Sequence, residues 1–214
     1  MKLRCPSFVV ALCTLGGVLS AAIYEADFAG TAPSLHTPWT GAALLDAHLQ
    51  NGGWTLGSGV KTAGARDAML EAVIENWPDA DRSTLAQALS KNHYVKLVLE
   101  PAAGWQLDLS GAAVSLTIDR EDFWAPTHFT VFTSVDGFAE RQEVFTGAEP
   151  WTNTRDPFAL NFTFPAAGYD GLTGPLEIRV YFWNGTYSKL CALTAFAVDG
   201  AVTPVHTKGT LIQL

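Results

Sequence analysis

Disulfides, clustered metal ligands and local catalytic signatures are all missing from this sequence. Three cysteines occur in 214 residues, and Cys5 and Cys13 lie in the apolar N-terminal stretch. If that stretch is removed, Cys191 is the one thiol left, and one thiol closes no internal disulfide. Core packing must then hold the fold alone. Cys191 lies in the apolar run 190–198, where a buried, inert thiol is expected rather than a nucleophile or a metal ligand. The five histidines, His36, His48, His93, His128 and His206, are scattered. No H-E-x-x-H, H-x-H or Cys/His cluster is present, so zinc has no support. There is no G-x-S-x-G for serine chemistry and no Walker-type or G-x-G-x-x-G loop for phosphates.

Charge is also scarce, at 16% of residues, with 13 Lys and Arg against 21 Asp and Glu and a pI near 5.0. A chain this short of cations is not built to wrap polyanions, so no nucleic-acid partner is expected. Hydrophobic residues make up 48% and aromatics 11%, far from the composition of disordered chains.

One long apolar run does occur, at the N-terminus. Lys2 and Arg4 precede it, it spans residues 8–19, and Ser20-Ala21-Ala22 follows with small residues at −3 and −1. This is the layout of a cleavable secretory leader ending before Ile23. The run is about a dozen residues, short of the roughly 20 that cross a bilayer. Cys13 follows bulky Leu12, which argues against lipid attachment. The reading is residues 1–22 as signal peptide, 23–200 as one domain and 201–214 as a tail, in a secreted protein with no membrane segment after cleavage. The mature charge becomes 11 minus 21, or −10.

From His93 onward, apolar and polar residues alternate as in half-buried strands. Candidate strands cover residues 93–99, 105–109, 113–119, 129–135, 142–145, 158–164, 176–183 and 190–198. Turn chemistry separates them at Ser110-Gly111, Asp136-Gly137, residues 168–175, Asn184-Gly185 and Asp199-Gly200. Earlier, residues 23–28, 44–49 and 54–60 suit strands. Residues 84–91 suit a short helix with Leu85, Ala88 and Leu89 on one face and Asp81 or Ser83 as cap. Residues 67–76 fit a helix or a strand equally. The fold class is all-β, a jelly-roll antiparallel sandwich with one or two short helices.

A sandwich enzyme acting on glycosides needs two carboxylates at a set separation. The local pairs are Glu25 with Asp27 and Asp119 with Glu121, and both sit where solvated charge is the simpler account. No catalytic residue is assigned, and the protein is read as non-enzymatic. The competing reading is a glycoside-active enzyme whose carboxylates come from distant strands. No cofactor is implied, although a structural calcium ion is compatible with the turn aspartates Asp136, Asp170 and Asp199, which local backbone hydrogen bonding also explains.

Seven tryptophans are the strongest hint of binding, since an indole is a flat apolar platform with one donor. Core packing accounts for most of them, Trp77 and Trp105 easily. Trp124, beside Glu121 and Asp122, Trp151, among Glu149, Thr152 and Asn153, and Trp183, at the Asn184-Gly185 turn, are the candidate ligand contacts, with extracellular polysaccharide as the partner. Asn161-Phe-Thr163 and Asn184-Gly-Thr186 match the glycosylation acceptor pattern, which chance supplies often.

The blocks AQALSKNHY (86–94), LEPAAGWQLDL (99–109), TSVDGFA (133–139), YDGLTGPLEIRVYF (169–182) and AVDG (197–200) occur in order. Together they resemble the exported sandwich domains of bacterial PEP-CTERM-type surface proteins. The resemblance implies a jelly roll related in shape to laminin-G-like and carbohydrate-binding modules, associated with the cell surface or exopolysaccharide, and it brings no catalytic residue. The Pro-Glu-Pro motif, apolar helix and basic tail of such proteins do not follow Val205, so release is expected over anchoring.

Overall fold

The computed structural model describes residues 21–28, 38–61, 70–74, 84–120, 125–138, 141–148, 157–185 and 190–206. In chain order the elements are β1 (Ala21–Ala26), β2 (Leu44–Leu45), β3 (Leu49–Leu56), β4 (Val60–Lys61), β5 (Leu70–Ile74) and α1 (Leu85–Lys91). They continue with β6 (Tyr94–Pro101), β7 (Trp105–Asp108), β8 (Ala113–Arg120), β9 (His128–Thr133) and β10 (Phe145–Ala148). Last come β11 (Phe158–Thr163), β12 (Leu176–Trp183) and β13 (Leu190–Pro204). All pairings are antiparallel. The larger sheet runs β11-β8-β13-β1-β2, with β5 and β7 also paired to β13 and β4 to β5, and the smaller runs β10-β9-β12-β6-β3. The expected all-β sandwich is what forms.

Alternation decides which side chains meet between the sheets. Val95, Leu97 and Leu99 of β6, Val114, Leu116 and Ile118 of β8, and Leu176, Ile178, Val180 and Phe182 of β12 are buried in one core. Each such side chain contributes on the order of 1.5–3 kcal/mol when fully buried. The intervening residues face outward, so the core also fixes what each outer face carries.

The sheets are joined by aromatic rings. Trp54 of β3 donates its indole N–H to the Tyr24 hydroxyl of β1 at 2.8 Å. Trp54 also meets Phe196 of β13 edge-on at 4.9 Å and Phe28 at 5.6 Å. Burial pushes the Tyr24 phenol up to about 12, so the hydroxyl stays neutral and keeps its hydrogen bond. Cys191 is fully buried, as its apolar surroundings predict.

Several boundaries differ from the sequence reading. Residues 44–49 are not one strand. β2 stops at Leu45 because the Asp46 carboxylate accepts the His48 N–H at 2.8 Å, a local turn that restarts the chain as β3. Residues 54–60 are likewise split by a turn at Ser58-Gly59, beyond which β4 begins at Val60. The strand expected at 142–145 begins at Phe145. The ambiguous segment 67–76 holds a strand, β5, whose partner is the start of β13, with Val73 opposite Leu190.

Asp199-Gly200 is not a turn. β13 passes through it and pairs with β7, Ala201 opposite Asp108 and Thr203 opposite Gln106. Residues 201–204 therefore belong to the sandwich rather than to a loose tail, while 207–214 lie outside the described residues. At the other end Ala21 and Ala22 pair Gly200 and Asp199, so cleavage before Ile23 would shorten β1 to four residues.

The helix forms where its periodicity predicts, but its cap is Thr84. The Thr84 hydroxyl accepts the Gln87 N–H at 3.3 Å while the Gln87 side chain accepts the Thr84 N–H at 2.8 Å. This reciprocal box satisfies two donors at once. Asp81 and Ser83 lie outside the described residues. Asn92 ends the helix with φ of 56°, a conformation asparagine tolerates better than most.

His93, between α1 and β6, is 1% exposed, and burial, helped by the Lys91 charge, holds its imidazole down at about 4. The unfolded chain takes up that proton below about 6.5, so the stability due to the neutral ring is complete above pH 6.5 and is lost as pH falls toward 4. The expected loss is roughly 3 kcal/mol. Urea unfolding at several pH values should give a steeper acid decline for the native chain than for His93→Gln, and equal slopes would rule the assignment out.

Candidate functional site

The outward positions of β9, β12 and β6 place aromatic and polar side chains on one face of the smaller sheet. Register sets the neighbours: Trp183 lies opposite His128, Tyr181 opposite Thr130 and Tyr94, and Arg179 opposite Lys96. α1 covers the middle of this face, burying Ala88, Phe132 and Tyr181, with Leu85, Leu89, Tyr94, Phe138 and Trp183 packed around them. Burial raises the Tyr181 phenol above its ordinary value.

Trp183 stands at the rim of that covered patch, half-buried. Its indole N–H donates to the Thr130 hydroxyl at 2.9 Å, and Thr130 in turn pairs with the Thr146 hydroxyl of β10 at 3.1 Å. The His128 ring lies 4.4 Å from the indole, tilted by 43°. The Nδ1 of His128 is held by the Thr127 hydroxyl at 2.9 Å and the Asn184 amide at 2.8 Å, and Asn184 also donates to Thr127. The indole therefore has a fixed edge and a fixed neighbour, a platform that loses little freedom on meeting a ligand.

A second cluster lies on the other side of the helix-covered patch. The Arg179 guanidinium lies over the Phe138 ring at 3.7 Å and the Tyr94 ring at 4.7 Å. Its Nε donates to Glu177 at 2.5 Å, and Lys96 reaches the same carboxylate at 3.2 Å. All three are partly exposed, so the ion pairs are worth at most about 1 kcal/mol each. They fix the arginine's position on the sheet more than they stabilise the fold.

Of the three predicted contacts, the structure places Trp183. Trp124 and Trp151 lie outside the described residues, as does Trp77. Trp39 and Trp54 are core residues, and Trp105 is half-buried with the His48 ring stacked on it at 3.3 Å. Among the described residues Trp183 is thus the indole at the edge of an outer sheet face. His128, Thr130, Thr146 and Asn184 were missed as its neighbours. Asn184 adjoins it in sequence, but the others come from β9 and β10 and meet it only through pairing.

Among the described residues no group of three His, Cys, Asp or Glu side chains gathers to hold a metal ion. Of the aspartates compatible with calcium, Asp136 is engaged otherwise: its carboxylate accepts from Thr133 at 3.0 Å and from the buried Tyr169 hydroxyl, which also contacts Thr133 at 2.6 Å. Asp199 lies within β13, not in a turn. Glu25 is half-buried on β1 and Asp27 is exposed just after it, and Glu121 lies outside the described residues.

Comparison with protein families finds no match, and comparison with curated proteins finds none. Solved structures of several kinds are similar to this chain. One is the K3 cleaved adhesin domain of Lys-gingipain from Porphyromonas gingivalis, 14% identical, TM-score 0.41, covering 84% of this chain and 98% of that one. A family 29 carbohydrate-binding module from Piromyces equi is 10% identical, TM-score 0.39, covering 85% and 90%. A Stig cyclase from Fischerella sp. TAU is 14% identical, TM-score 0.37, covering 87% and 100%.

Thr130 is fully buried and links Trp183 to β10. Replacing it with valine leaves the indole N–H and the Thr146 hydroxyl without their shared partner. The expected cost is about 1–2 kcal/mol in chemical denaturation, with a changed Trp183 fluorescence; an unchanged midpoint and spectrum would contradict the described network.

Proposed function

We propose that the chain is a non-catalytic, exported saccharide-binding protein that acts through surface contacts in an extracellular matrix. The observation that carries this reading is the fixed, half-buried Trp183 at the rim of an outer sheet face. A flat indole presents apolar area to the C–H face of a sugar ring, and the hydroxyl and amide groups beside it, bonded to one another, hold that platform in place. The acidic, cation-poor composition and the lack of a local catalytic motif in the sequence support binding over chemistry. The leader at residues 1–22 supports secretion, and the block pattern from residue 86 to 200 supports kinship with exported surface domains. Trp124 and Trp151 are proposed as further contacts.

Retention of the mature protein on immobilised polysaccharides tests this. Trp183→Ala should weaken binding to the retaining glycan by about five- to a hundredfold, in keeping with roughly 1–3 kcal/mol for a buried aromatic contact. Trp124→Ala and Trp151→Ala should weaken it less if each adds one contact. No retention on any glycan by the native protein would remove the reading. Mass spectrometry of the secreted protein should find Ile23 as its first residue; an intact N-terminus would remove the leader.

A further inference from the structure

We propose a second ligand site on the opposite side of the sandwich, a groove on the outer face of the larger sheet that takes an uncharged saccharide. The groove has a volume of about 510 Å³ and is lined by Ala113 and Ser115 of β8, Asn161 and Thr163 of β11, and Ala197 and Asp199 of β13. That volume falls within the range of small-ligand clefts, roughly 300–1,000 Å³. The register explains its form. Ser115 sits between Asn161 and Ala197 in one cross-strand row, and Ala113 lies beside Thr163 in the next. Short side chains on the two inner strands make the floor, and the longer Asn161 and Asp199 stand at its sides.

The chemistry separates this groove from the Trp183 face. There, the polar groups are bonded to one another: Glu177 to Arg179 and Lys96, Thr130 to Trp183 and Thr146, Thr127 to Asn184 and His128. In the groove, the Ser115 and Thr163 hydroxyls, the Asn161 amide and the Asp199 carboxylate form no side-chain hydrogen bond with one another or with any other described residue. They offer donors and acceptors from three adjacent strands toward one space, over alanine methyls that suit the apolar faces of sugar rings. Among the described residues its one ionisable group is a carboxylate and no lysine or arginine lines it, so an acidic saccharide is repelled while sugar hydroxyls find acceptors. The two sites face opposite ways, so one molecule can hold two chains together, which multiplies attachment without new contacts.

This proposal stands apart from the Trp183 reading, and the test separates them. Backbone amide NMR of the protein is followed while neutral hexasaccharides of β-1,4-glucan, β-1,3-glucan, xylan and mannan, and hexagalacturonate, are added in turn. A neutral hexasaccharide should shift the amides of Ser115, Asn161, Ala197 and Asp199, and Trp183→Ala should leave those shifts in place. Ser115→Phe, which fills the floor, should abolish them. Asn161→Ala and Asp199→Ala, at solvent-facing positions that the core does not use, should each weaken binding about tenfold. No groove shifts with any neutral sugar, shifts confined to the surroundings of Trp183, or hexagalacturonate binding as well as the best neutral sugar would each overturn the proposal.

Discussion

Two sheets can share a core only where side chains from both reach across a gap of about 10 Å. In this protein the reach is made by rings. Trp54 projects from the smaller sheet, donates to Tyr24 of the larger one and touches Phe196 and Phe28. Trp39 extends the cluster against Phe28 at 4.7 Å. A hydrogen bond in so apolar a place is costly to leave unmade, because either partner alone would be buried unsatisfied. It therefore fixes which residue of β1 faces which residue of β3. The rest of the register follows, since a one-residue slip in β1 would turn Tyr24 outward and Glu25 inward. Among the described residues no cystine performs this task, and Cys191 lies buried within the same core.

Once the inner faces are committed, the outer faces are what remains for function, and they differ in kind. The smaller sheet carries large outward side chains, Tyr94, Tyr181, Phe132 and Trp183, too apolar to leave to water. α1 meets that need by covering most of them, and its capping box and Asn92 terminus confine it to the two turns required. Trp183 escapes full cover because it lies at the end of β12, beyond the helix. The larger sheet needs no such cover at its groove, because Ala113, Ser115 and Ala197 expose little apolar area.

The sequence-level signals succeeded where one physical effect acted alone. β12 is legible residue for residue because Leu176, Ile178, Val180 and Phe182 alternate without interruption. The helix is legible from Leu85, Ala88 and Leu89, but not its cap, since several residues before it can cap equally well. Asp199-Gly200 misleads because the same dipeptide suits a hairpin, whereas here β13 is long enough to leave one set of partners and take up β7. At the candidate site, Trp183 is visible as an aromatic beside a turn. Its partner Thr130 stands 53 residues away, so only the pairing of β9 with β12 brings them together. The groove is not legible in sequence for the same reason: it is assembled from three strands, and Asn161 and Asp199 stand out there only as a glycosylation pattern and a turn aspartate, not as neighbours.

Scarcity of charge connects these features. With so few cations in the chain, each described one on the smaller sheet's outer face is tied down: Arg179 by two rings and Glu177, Lys96 by the same carboxylate. They are held against the protein, which lowers their capacity to recruit a negatively charged polymer. The groove on the other side adds a carboxylate with no lysine or arginine among its described lining residues. An acidic polysaccharide would meet repulsion there and pre-occupied cations opposite, and long-range attraction is disfavoured by the net charge as well. On the saccharide-binding reading proposed above, discrimination would come from stacking area and hydroxyl geometry, short-range terms that resist salt.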